Sequence, residues 1–94
     1  PVMAFRDEAE AIERANNSEY GLTASVWSAD ADHAAALASE IDSGQVSINS
    51  HGGGVQKHLP FGGHKWSGIG VENGPWGLAS FTELQVISGP SRLK

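Results

Sequence analysis

Four groupings in the sequence have residue types and spacings that could do chemistry. His51-Gly52-Gly53-Gly54 has the letters of an oxyanion loop for acyl transfer, in which glycine N–H groups approach a developing alkoxide closely. That chemistry also needs a nucleophile elbow, and no serine here is framed as Gly-x-Ser-x-Gly, so a glycine-rich turn after a strand is the simpler reading. Gly68-Ile69-Gly70-Val71-Glu72-Asn73-Gly74 approaches a dinucleotide fingerprint, but it has one residue too many before the last glycine and no clear strand ahead of it. His51, His58 and His64 could be imagined around zinc, yet they lie in a loop with no cysteine to complete four ligands. Asn16-Asn17-Ser18 fits a glycosylation acceptor, yet without a secretory signal it is more simply a helix-ending turn.

The elements that must position these residues follow from punctuation and periodicity. Residues 2–5 read as a strand. Asp7, three before Glu10, has capping-box spacing and starts a helix with Ala11, Ile12 and Ala15 on one face, ending at Asn16-Asn17-Ser18. Gly21 resets the chain, and residues 22–27 form a second β-prone run. Ser28 or Asp30 then caps a helix with the small-residue stripe Ala31, Ala34, Ala35, Ala38 and Ile41. Gly44 reads as a helix stop able to take positive φ, and residues 45–49 as a third strand. Residues 50–77 hold nine of the twelve glycines and three of the four histidines. Their interleaved Val55, Leu59, Phe61, Trp66 and Ile69 argue for an ordered loop region and against disorder. Pro75 opens a short helix reaching about Ala79, and residues 81–88 read as a last strand suited to a sheet edge or a subunit interface. The fold expected is α/β: a three-layer β-α-β-α-β segment with a mostly parallel sheet, a long glycine-rich loop and a C-terminal oligomerisation strand.

Composition narrows the function. Six Lys+Arg against 11 Asp+Glu give a net charge of −5, so no cationic face is offered to nucleic acid. With no cysteine, disulfides, thiolate metal sites and a cysteine nucleophile are all excluded from these residues. No apolar run approaches the roughly 20 residues of a membrane span, and no basic and apolar leader precedes Pro1. A cytoplasmic location and a piece of something longer are therefore the expectations.

Taken together, Asn16-Asn17-Ser18-Glu19-Tyr20-Gly21-Leu22, Gly44-Gln45-Val46-Ser47-Ile48-Asn49, Pro60-Phe61-Gly62-Gly63-His64-Lys65-Trp66-Ser67-Gly68-Ile69-Gly70 and Phe81-Thr82-Glu83-Leu84 resemble the C-terminal part of an NAD(P)-dependent aldehyde dehydrogenase. The four blocks occur in the family's order and cover nearly the whole chain, Pro-Phe-Gly-Gly-x-Lys-x-Ser-Gly-x-Gly being the most specific.

The resemblance implies an enzyme whose cysteine attacks an aldehyde and passes hydride to the nicotinamide of NAD or NADP. A glutamate-activated water then releases the carboxylic acid. Cysteine, glutamate and dinucleotide-binding domain would all lie upstream, so this chain alone is expected to be inactive and to need the upstream part of the same enzyme. The resemblance makes residues 1–80 the end of the catalytic domain and residues 81–94 an oligomerisation strand and tail. Phe61 matches a phenylalanine near the nicotinamide and catalytic pocket, and the variable substrate-tunnel segment corresponds to His51, Gly52, Gly53, Gly54, Val55 and the residues up to Leu59. Asn49 would close the third strand at the pocket rim. Glu83, Leu84, Gln85 and Val86 would lie at the subunit contact of a homodimer or homotetramer, with a small aldehyde as the other partner. Val71 and Gln85 replace an arginine and a lysine found in many members, and the three glycines replace bulkier tunnel residues. Two further readings are a non-catalytic assembly module descended from the family and a small hydrolase built on the His-Gly-Gly-Gly loop.

Overall fold

The structure is a computed structural model and describes residues 1–90. Its first element, α1 (Glu8–Asn16), begins where the sequence sets a cap: Asp7 Oδ1 accepts from the Glu10 N–H at 2.8 Å. The reciprocal contact falls one residue earlier than a capping box places it, because Glu10 Oε2 accepts from the Arg6 N–H at 2.7 Å. Chain reversal after α1 leads into β1 (Tyr20–Gly21) and β2 (Thr23–Val26), followed by α2 (Ala31–Ala38) and β3 (Gln45–Ile48). Asp30 caps α2 by accepting from the His33 N–H at 3.0 Å.

β2 and β3 pair in parallel, from Thr23 opposite Gln45 to Val26 opposite Ile48, with α2 as the crossover. The alanine stripe explains how α2 lies against this pair: Ala34 is fully buried, and a methyl group there lets helix and strands approach closely. Among the described residues this is the one β-α-β unit. Residues 2–5 are exposed and form no strand, because a β-rich run acquires ladder hydrogen bonds only when a partner strand lies beside it. The expected three layers and three strands therefore reduce to a two-stranded parallel pair with α2 packed against both strands.

The glycine-rich stretch is more ordered than its lack of periodicity predicts. β4 (His64–Lys65) pairs antiparallel with β1, Tyr20 opposite Lys65 and Gly21 opposite His64. Phe61 and Glu72 exchange backbone hydrogen bonds at 2.8 Å in both directions, closing the segment between them into a loop. α3 (Gly74–Ala79) follows, with Pro75 in its first turn as expected. Residues 83–90 make no backbone pairing with the other described residues, so the strand read over 81–88 is not formed among them.

Gly44 corrects a second expectation. Its φ is not positive; a Cβ there would fall inside the Gly62 carbonyl, so glycine is needed because two backbones cross in contact. This crossing presses the Phe61-Gly62-Gly63 turn onto the start of β3.

The whole is elongated, 64 × 28 × 24 Å, with a radius of gyration of 18.7 Å. A compact chain of this length has about 12 Å. Its accessible surface, 7986 Å², exceeds the about 5,200 Å² of a folded monomer of this mass. Phe81, Leu84, Val86 and Ile87 are among the side chains that stay in water.

Candidate functional site

Alternation along β3 sets one wall of the candidate site. Gln45 and Ser47 share a face at strand period, and with Thr23 and Ala24 of β2 they line an open cavity of about 230 Å³. His51, Gly52, Gly53, Gly54 and Val55 form its second wall and Phe61 its third. A neighbouring cavity of about 440 Å³ is lined by Gly44 to Ser47, Ser50, Gln56, Leu59, Pro60 and again Phe61, so the half-buried phenylalanine stands between the two.

Six of the residues singled out from the sequence thus meet around one cavity: Phe61, His51, Gly52, Gly53, Gly54 and Val55. Asn49 lines neither. It has φ 51°, and its side-chain amide engages both backbone groups of Ser28, accepting from the N–H at 2.9 Å and donating to the carbonyl at 2.8 Å. Its own N–H donates to Val26 at 2.9 Å. Asn49 therefore fastens the ends of β2 and β3 together and launches the loop that carries His51. Glu83, Leu84, Gln85 and Val86 are exposed and line none of the cavities described here. Thr23, Ala24, Gln45 and Ser47 escaped the sequence reading, although the polar alternation of Gln45 and Ser47 with Val46 and Ile48 was its available signal.

A polar clamp holds the Phe61 turn from behind. Lys65 Nζ donates to the Asn16 carbonyl at the end of α1 at 2.8 Å and lies 3.4 Å from Asp42 Oδ2. His64 Nδ1 lies 2.7 Å from Asp42 Oδ1, and the Asp42 N–H donates to Asn16 Oδ1 at 2.7 Å. His64 chiefly, with Lys65 adding to it, holds the Asp42 carboxyl below its ordinary range. The Gly21 N–H donates to Ser67 Oγ at 2.9 Å and the Trp66 N–H to Glu19 at 2.8 Å, extending the attachment along β1. Between α1 and α2, Glu8 pairs with His33 at 2.7 Å and raises its pKa.

Among the described residues, the lining of the cavity between Phe61 and the glycine loop includes no Asp, Glu, Lys or Arg, and His51 is its one ionisable side chain. Such a lining suits an uncharged or aromatic group and gives no cation to a diphosphate. Gly68 and Gly70 do adopt positive φ, 130° and 97°, but they lead to the Phe61–Glu72 bridge and not directly into a helix. The strand, turn and helix needed to cradle a dinucleotide phosphate are not assembled there. The three loop histidines are separated in role, His51 at the cavity and His64 on Asp42. Among the described residues no group of three or more His, Asp or Glu is placed to hold a metal ion, and no helix is long and apolar enough to cross a membrane.

Comparison with known proteins places this geometry. Residues 1–87 match the aldehyde dehydrogenase family. The chain is 49% identical over 81 residues to vanillin dehydrogenase of Corynebacterium glutamicum, covering 86% of this chain and 17% of that one. It is 42% identical over 88 residues to human retinaldehyde dehydrogenase 3, covering 94% of this chain and again 17% of the relative. In structure it is similar to betaine aldehyde dehydrogenase from Staphylococcus aureus in complex with NAD+, with a TM-score of 0.78 and 42% identity over 82% of this chain and 15% of that one. It is equally similar to a Mycobacterium tuberculosis aldehyde dehydrogenase complexed with NAD+, with a TM-score of 0.79 and 42% identity over 84% and 16% of the two chains. The chain therefore spans about a sixth of the length of these relatives, and over that span it belongs to the aldehyde dehydrogenase family.

Proposed function

We propose that this chain works as the C-terminal segment of the catalytic domain of an NAD(P)-dependent aldehyde dehydrogenase, furnishing one wall of the pocket in which an aldehyde is oxidised to a carboxylic acid. The observation that carries the reading is the convergence of Phe61 and the His51–Val55 loop on one cavity whose described lining includes no carboxylate or ammonium. Phe61 is held at its backbone by Glu72 and at its following glycine by Gly44, so its ring can act as a fixed face for a planar group. Bound NAD(P) supplies the hydride acceptor. The residues present suit the planar ring at its reacting end and the aldehyde, since they set an aromatic face and no Lys or Arg beside it, and leave its phosphates to be held elsewhere in the enzyme.

With no cysteine in the chain, nucleophile and general base belong to the remainder of the polypeptide. These residues restrict water, orient the aldehyde and set the shape of the tunnel. Glycines at 52, 53 and 54 widen that tunnel relative to side-chain-bearing loops, which favours a substrate with a bulky or cyclic carbon frame. The exposed Leu84 and Val86, on backbone without a partner strand, support a role for residues 81–88 in pairing between subunits.

The complete enzyme should reduce NAD or NADP when given an aldehyde, followed at 340 nm. Phe61→Ala should lower kcat/KM about tenfold or more through lost orientation while leaving the folded fraction unchanged. Unaltered kinetics with both an aromatic and an aliphatic aldehyde would remove Phe61 from the pocket. No reduced cofactor from any aldehyde would favour the non-catalytic assembly module.

A further inference from the structure

Lys65 is an unusual residue in its setting. Its φ of 55° places a long, unbranched side chain in the left-handed region that glycine and asparagine normally occupy. Such a conformation persists only where its surroundings over-determine it. Here the surroundings are the Asn16 carbonyl, where the negative end of the α1 dipole attracts a cation, and the Asp42 carboxylate. The Lys65 side chain is only 23% exposed, which strengthens both contacts relative to a surface pair. Asp42 is fixed in turn by His64 and Asn16, and the Asn16 amide also donates to the Glu40 carbonyl at 2.8 Å. Four residues before Lys65 is Phe61, and the intervening Gly62 lies in backbone contact with Gly44. Little slack separates the ammonium anchor from the aromatic ring.

We propose that Lys65 is a positioning residue for Phe61: its ammonium, held by the end of α1 and by Asp42, fixes the backbone turn that sets the ring against the cavity. Lys65 lines neither cavity beside Phe61 and acts through the 61–65 segment. The proposal rests on the reading of Phe61 as a pocket residue, and the experiment separates the two.

In the complete enzyme, Lys65→Met keeps the length and removes the charge, and Lys65→Arg keeps a donor that can reach the same carbonyl. Lys65→Met should lower kcat/KM about tenfold for a bulky aldehyde and less for a small aliphatic one, with Lys65→Arg recovering most of the loss. Combined with Phe61→Ala, Lys65→Met should add less than about a further twofold, since a ring that is absent cannot be misplaced. Additive losses in that cycle, or equal losses for both aldehydes without rescue by arginine, would mean that Lys65 serves stability alone and would overturn the proposal. Hydrogen exchange followed by mass spectrometry gives a readout independent of turnover. Lys65→Met should speed exchange in residues 61–67 while leaving β2 and β3 protected, and unchanged exchange at 61–67 would also overturn it. Should the unmodified enzyme oxidise no aldehyde, the functional reading falls, and the exchange measurement still decides whether Lys65 holds the turn.

Discussion

Residues 8–49 and residues 50–90 hold their shape by different means. The first region uses repeating backbone hydrogen bonds: two capped helices and a parallel pair whose register follows from alternation. The second has a two-residue ladder, one bridge and a six-residue helix, and depends on glycine backbones in contact and on its own side chains, Ser67, Lys65 and His64, that reach across to the first region. Regular elements are specified by many residues that each contribute a little. Irregular ones depend on a few contacts, so single substitutions there should have either large effects or none. Functional surfaces profit from the second arrangement, because a loop can vary at its tip while its base stays fixed.

Glycine gives the sharpest way to break that comparison. Gly44→Ala puts a methyl group into the Gly62 carbonyl and should destabilise the complete protein by about 3 kcal/mol, measured by urea titration with tryptophan fluorescence. Gly53→Ala meets nothing within 4 Å and its φ is not positive, so stability should stay within about 0.5 kcal/mol while aldehyde preference shifts. Equal effects from the two would mean that the crossing at Gly44 is not what fixes the loop base.

A smaller effect is expected at Asn49, the junction between the regions. Asn49→Ala removes two hydrogen bonds to Ser28 and leaves a non-glycine residue at positive φ, costing about 1 to 2 kcal/mol. Asn49→Gly relieves the backbone and should recover part of that loss. Full recovery would assign the effect to conformation, and none would assign it to the amide.

The smallest effects concern pH, and they differ in sign between two ion pairs. Glu8 raises the His33 pKa above its ordinary 6.5, so the folded state holds that proton more tightly. Its contribution is complete below the unfolded value and is lost as pH rises through the raised one. His33→Gln should flatten the stability profile in that window. Asp42 behaves oppositely: its carboxyl is lowered, chiefly by His64, so its contribution is present above the ordinary carboxylate value of 3.8 and is lost as pH falls through the folded-state value. Asp42→Asn should flatten the acid limb by lowering the stability above it, and leave the slope in the neutral range nearly unchanged. A neutral-range slope untouched by His33→Gln would show that the α1–α2 pair is solvated away.

Some of this protein was decided residue by residue along the chain. Asp7 and Asp30 cap the helices from their own local positions, Pro75 opens α3, and the alternation of Gln45, Val46, Ser47 and Ile48 is a strand in any context that supplies a partner. These contacts span three or four residues, or repeat with a fixed period, so the sequence carries them in full. The blocks around Tyr20-Gly21, Gly44-Gln45 and Phe61-Gly62-Gly63 likewise carry the family resemblance in their letters alone.

What only the tertiary structure decided are the contacts between residues far apart in sequence. Gly44 read as a helix stop and is instead where a second backbone crosses. Lys65 read as one letter of a motif and instead binds the end of a helix 49 residues earlier. Residues 2–5 and 81–88 have the composition of strands and form none among the described residues, because a strand is completed by hydrogen bonds to a neighbour, and composition does not supply the neighbour.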